Sequence, residues 1–139
     1  MAYIFKQKLR VQDLVALAGQ PKKVLIYEPE NYLAALYAHY LRAHNFDVKH
    51  CPELGKLKTA ILEFYPELLI FSADNGILGS SGLDFKRHFP DLTVVTIAYN
   101  MSAESLKQLM DLGVSSHINR KLSRPEDVVD VVKALMLNI

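Results

Sequence analysis

A chain of 139 residues suits one domain and can bury roughly 70% of the surface its unfolded form exposes, so no disulfide or metal staple is required. Half of the residues are apolar and 16 basic side chains face 15 acidic ones. That balance gives no electrostatic footprint for nucleic acid or an anionic membrane, and it points to protein or small-molecule partners.

Residues 1–21 read as an extension that ends at Gly19-Gln20-Pro21, and residues 22–139 as the main domain. Within the extension Val11, Leu14, Val15 and Ala18 follow i, i+3, i+4, i+7 spacing, which predicts a short amphipathic helix. A segment this short does not fold alone, so its stripe must dock on the main domain or on another chain. Lys6, Lys8 and Arg10 precede the apolar run Leu14 to Ala18, but five residues fall short of a secretory h-region. No run of 18 apolar residues offers a membrane span, and the location expected is cytoplasmic. The lone Cys51 excludes an internal disulfide and reads as a buried, inert thiol.

Val24-Leu25-Ile26-Tyr27 is the first buried strand. Glu28-Pro29-Glu30-Asn31 leads into a helix carrying Leu33, Leu36, Tyr37, Tyr40 and Leu41, which stops near His44-Asn45, where asparagine takes a left-handed cap. Phe46 to Cys51 alternates apolar with polar and fits a strand nearer the sheet edge. Leu54, Leu57, Ile61 and Phe64 mark a second helix ending at Tyr65-Pro66. In Pro66 to Ser72, four successive apolar residues form a strand buried on both faces, the middle of a parallel sheet.

Asn75 to Gly82, with three glycines and two serines, is a loop before a short helix from about Leu83 to Phe89. Val94 to Ala98 is the fourth strand. Ser102 caps a helix with Leu106, Leu109 and Met110 on its apolar face, ending at Gly113. His117-Ile118-Asn119 is the fifth strand. Ser123-Arg124-Pro125-Glu126 reads as a capping box opening a helix with Val128, Val131, Val132 and Leu135 inward. So few positions of that helix are polar that a second layer should cover it, either the N-terminal helix or another copy of the chain.

Strand and helix thus alternate five times. The fold class expected is α/β: a doubly wound, five-stranded parallel sheet of flavodoxin-like topology, strand order 2-1-3-4-5, with an N-terminal helical extension. The crevice outside the carboxyl ends of the strands makes Ser72 to Asn75 the first place to look for function. Competing constellations are weak. His39 and His44, at i, i+5, do not share a helix face for a metal. Ser72 and His117 lack an orienting third group and a nucleophile elbow. Gly76, Gly79 and Gly82 lack the Gly-Lys-Ser ending of a phosphate loop.

From Lys22 to Leu137 the sequence resembles a response-regulator receiver domain. The resemblance rests on Val24-Leu25-Ile26-Tyr27-Glu28-Pro29-Glu30, on Pro66-Glu67-Leu68-Leu69-Ile70-Phe71-Ser72, on Leu112-Gly113-Val114 and on the Arg120-Lys121 pair. It implies that the phosphoacceptor position falls on Ser72, which cannot form an acyl phosphate. The acidic pair falls on Glu28 and Pro29, the hydroxyl that grips the phosphoryl group on Ala98, the swinging aromatic on His117 and the closing lysine on Arg120. A degenerate acidic pocket of Glu28, Pro29 and Asp74 holds magnesium weakly or not at all.

The resemblance therefore implies a pseudo-receiver: no enzyme, no cofactor, no metal, and a phosphorylation-independent module for protein interaction or dimerisation in signal transduction. Its partner is a signalling protein or a second copy, met through the last helix at Val129, Val132, Lys133 and Met136 and through the N-terminal extension. The alternative is an atypical phosphoacceptor in a two-component phosphorelay, using Asp74 and Mg2+, which requires the central strand to run two residues further. A third reading is a small-ligand binder at the strand ends. Glu28 and Arg120, placed at the ends of adjacent strands, are expected to pair and stand in for the metal.

Overall fold

The computed structural model describes residues 20–74 and 84–137. The expected N-terminal helix at Val11 to Ala18 and the glycine-rich stretch Asn75 to Gly82 lie outside the described residues.

Among the described residues five strands and five helices follow one another: β1 (Lys23–Tyr27), α1 (Asn31–Ala43), β2 (Asp47–Cys51), α2 (Leu57–Phe64, preceded by a 3-10 turn at Leu54–Lys56), β3 (Leu68–Ser72), α3 (Phe85–His88), β4 (Thr93–Ala98), α4 (Ala103–Asp111), β5 (Ser116–Asn119) and α5 (Pro125–Leu137). All strand pairs are parallel and the sheet order is β2-β1-β3-β4-β5, the order the sequence predicts. The chain steps from β1 outward to β2, then returns past β1 to β3. That reversal opens the crevice at the carboxyl ends of β1 and β3.

Side chains alternate across the sheet with period two. Val24, Ile26, Leu68, Ile70, Val95 and Ile97 face α1 and α5. Leu25, Tyr27, Leu69, Phe71 and Val94 face α2, α3 and α4, where Leu57, Ile61, Phe85 and Leu109 meet them. β1 and β3 are covered on both faces and so are almost wholly apolar, whereas edge strand β2 leaves Asp47 and Lys49 exposed. Among the described residues two besides glycine take the left-handed conformation, Asn45 after α1 and Tyr65 after α2. The first is the cap expected there. Tyr65 stops its helix in that conformation despite the following proline.

Three expectations change. The sequence reading offers Val129, Val132 and Met136 of the last helix as an interaction surface, but these side chains are at most 2% exposed. The second layer its composition demands is α1 of the same chain: α5 lies beside α1 on one face of the sheet, so its wide stripe meets both the helix and the strands. Burying each such side chain contributes roughly 1.5–3 kcal/mol to stability. Of the four named positions only Lys133 reaches solvent, and it does so partly. In α4, Met110 is 58% exposed while Leu109 is buried, because a nine-residue helix beside the sheet turns only a narrow stripe inward. The capping interaction of α5 is shifted by one residue. Pro125 opens the helix, and the Asp127 carboxylate accepts from the backbone N–H of Arg124 at 2.7 Å, leaving Ser123 and Glu126 outside the expected box. Among the described residues no helix is long and apolar enough to cross a membrane.

Candidate functional site

The strand ends converge on one side chain. Arg120 directly follows edge strand β5, and its backbone N–H continues the sheet by donating to the Ala98 carbonyl at 2.7 Å. This fixes the start of the side chain, which runs back across the ends of β4 and β3 toward β1. Its Nη2 donates to Glu28 Oε1 at 2.8 Å and to Ser72 Oγ at 3.2 Å, and forms an ion pair with Asp74 Oδ2 at 3.2 Å. Its Nη1 donates to the Tyr37 hydroxyl at 3.0 Å, and the guanidinium carbon lies 5.7 Å from the Tyr37 ring centroid and 5.5 Å from that of Tyr99.

The sequence reading sets Glu28 and Arg120 on adjacent strands. The sheet order instead places β3 and β4 between them, and the length of the arginine side chain bridges the gap. The pair is deeply buried, with side chains 5% and 4% exposed. Each acid is further held by backbone. Glu28 Oε2 accepts from the Glu30 N–H at 3.0 Å, and Asp74 Oδ1 accepts from the Tyr99 N–H at 2.8 Å. The Glu28 carbonyl accepts from His50 Nε2–H at 2.7 Å.

The electrostatics follow from this enclosure. Burial works against the Arg120 charge, but Tyr37, Glu28 and Asp74 together outweigh it and hold the guanidinium above its ordinary value. Burial pushes the Tyr37 hydroxyl up, with Arg120 opposing. One cation faced by two carboxylates leaves the cluster acidic by one formal charge. Arg120 Nε is buried with no hydrogen-bond partner, the one unsatisfied side-chain atom of this kind among the described residues.

The remaining positions singled out in the sequence sit around this hub. Ser72 is buried and its hydroxyl is engaged by Arg120. Ala98 is buried and has no side-chain donor; Pro29 is exposed. β3 ends at Ser72, so Asp74 lies two residues beyond the strand rather than at its last position. His117 Nδ1 is 2.8 Å from the buried Thr96 hydroxyl across the β4–β5 ladder, and burial lowers its pKa while Asp74 acts to raise it. Ser72 and His117 are thus each bound to a different partner and form no nucleophile–base pair. The Cys51 thiol is buried, donates to the Glu53 carbonyl at 3.2 Å, and is pushed up in pKa by burial, which disfavours the reactive thiolate. Among the described residues no three His, Cys, Asp or Glu side chains are placed to share a metal. Beside Asp74, a cavity of about 650 Å3 opens between the end of β3 and α4, with Ser102, Ser105 and Leu109 in its wall.

Sequence reasoning missed two members of the cluster. Tyr37 reads as one more apolar position of α1, and only the hydroxyl of its buried ring signals that it ends near a polar group. Tyr99 gives no sequence signal beyond its place one residue after β4.

A scan against protein-family models finds no match for this chain, and a search of curated proteins finds none either. Solved structures do resemble it. An orphan response regulator of H. pylori aligns with TM-score 0.73 at 16% identity, covering 83% of this chain and 96% of that one. The signal receiver domain of a LuxO repressor protein from Vibrio parahaemolyticus aligns with TM-score 0.72 at 21% identity, covering 85% and 91%. An atypical orphan response regulator, described as having a phosphorylation-independent regulatory mechanism, aligns with TM-score 0.69 at 17% identity, covering 81% and 92%. At these identities the likeness is one of fold: this chain carries the five-stranded architecture of these receiver domains.

Proposed function

We propose that this chain is a signalling module of receiver fold that works without being phosphorylated, through contacts with a protein partner or a second copy of itself. The observation that carries this reading is Arg120, whose guanidinium occupies the place between Glu28 and Asp74 where a receiver would hold its cation. The donor set does not fit magnesium. That ion needs near-octahedral oxygen ligands at about 2.0–2.1 Å, whereas here both carboxylates already face a fixed positive charge and Pro29 adds no acid. The acceptor position holds Ser72 and the position that would grip a phosphoryl oxygen holds Ala98, so neither the nucleophile nor the donor that stabilises the transferred group is present there.

With the apolar stripe of α5 buried, the contact surface lies elsewhere. Exposed apolar side chains beside the closed site include Tyr99, over the guanidinium, and Leu122, two residues past Arg120. The phosphorylation-independent mechanism described for one structural neighbour supports this mode of action.

Phosphorylation of Asp74 has one observation in its favour, a carboxylate 29% exposed at the strand ends. Both of its oxygens, however, are engaged, one by Arg120 and one by the Tyr99 N–H. Incubation with acetyl phosphate and magnesium, followed by intact-mass spectrometry, separates the two readings. No phosphoryl adduct is expected. An adduct that forms on the natural chain and is absent from Asp74→Asn would replace this reading with the phosphorelay one.

A further inference from the structure

At the end of the sheet opposite the arginine cluster, where β1, β3 and β4 begin, the surface carries a groove of about 570 Å3. That is within the roughly 300–1,000 Å3 of sites that enclose a ligand or a few apolar side chains. Its walls are largely apolar: Leu62 and Tyr65 from the end of α2, Pro66 before β3, and Phe89 and Leu92 between α3 and β4. Leu62 is 56% exposed and Tyr65 75%. Two large apolar side chains left in water on one groove mark a surface that something covers.

We propose that the occupant is the chain's own N-terminal segment, with the stripe Val11, Leu14, Val15 and Ala18 seated against Leu62, Tyr65 and Leu92. Three observations select it. First, the groove wall includes Lys22, and Ala18 is four residues upstream of it, so an extended connection holds the stripe within about 14 Å. Second, the stripe supplies apolar residues on one helical face about 11 Å long, a length the groove accepts, and a segment this short needs such a surface to fold against. Third, charges match. Lys6, Lys8 and Arg10 precede the stripe, while Glu67 and Asp91 line the groove, Glu67 already drawing Lys22 to 3.5 Å. A tether this short gives an effective concentration in the millimolar range, which favours the segment of the same chain over that of a second copy.

The test is a pair of engineered cysteines in the full chain, Ala18→Cys with Leu62→Cys; the native Cys51 is 5% exposed and stays out of the reaction. Under mild oxidation of dilute protein, an intramolecular disulfide is expected on a non-reducing gel. Adding Val15→Asp should slow its formation about tenfold or more, because a carboxylate cannot be seated against the groove. A disulfide that forms at the same rate with Val15→Asp reports the tether alone and overturns the proposal. So does a disulfide that links two copies, or none at all. Amide NMR of the full chain gives a second reading: Val15→Asp should move the resonances of Leu62, Tyr65 and Leu92 and leave Ser72 and Arg120 in place, and unmoved groove resonances contradict the docking.

Discussion

Arg120 concentrates the chemistry of the strand ends in one side chain. Its two terminal nitrogens meet acceptors from α1, β3, the turn after β3 and the residue that follows β1, so its removal strands several groups at once. Breaking a buried pair from one side typically costs about 3–5 kcal/mol, whereas replacing both partners by uncharged groups of similar shape costs far less. Arg120→Ala is therefore expected to lose stability in that range on urea unfolding with an unchanged denaturant slope. Glu28→Gln combined with Arg120→Met should be at least about 1 kcal/mol more stable than the sum of the single changes predicts. Strict additivity would mean that the two charges act independently. The sequence made Glu28 and Arg120 legible because strand ends in an α/β sheet face one crevice. It left Tyr37 and Tyr99 unread, because a hydroxyl at the end of an aromatic ring does not alter the apolar period that identifies a helix or strand.

Helix ends carry similar lessons. Gly113 closes α4 at φ +98, a conformation that costs a residue with a Cβ about 1–2 kcal/mol, and a Cβ there would lie 2.7 Å from the backbone nitrogen of Lys86. That nitrogen donates to the Leu112 carbonyl, so the turn after α4 is bonded directly to the start of α3 and neither side can withdraw cheaply. Gly113→Ala should lower the melting temperature by roughly 6 °C or more. Gly55→Ala, whose Cβ would meet nothing within 4 Å, should leave it nearly unchanged. Equal effects would remove the steric argument. The glycine was legible as a helix stop from sequence, but its contact with α3 was not, since it depends on how two helices on one face approach each other. The last helix shows the same limit. Its composition required a covering layer, and only the fold identifies that layer as α1, which turns an expected outer surface into core.

At the scale of the whole molecule, the alternation of five apolar runs with five helical stripes was enough to order the sheet, because right-handed crossovers and a two-residue side-chain period leave few arrangements. What the period cannot express is which strand ends face each other across the sheet. Glu28 and Arg120 stand at the ends of strands separated by two others, and the join is made by side-chain length alone. The resulting molecule has a polar end closed by one arginine and an opposite end with an apolar groove. The most direct test of the closed site is a titration with magnesium and beryllofluoride followed by backbone amide NMR. The amides of Ser72 to Asp74 and of Ala98 to Asn100 are expected to stay in place. Saturable, magnesium-dependent shifts at those amides, lost in Asp74→Asn, would contradict it and identify a working phosphoacceptor.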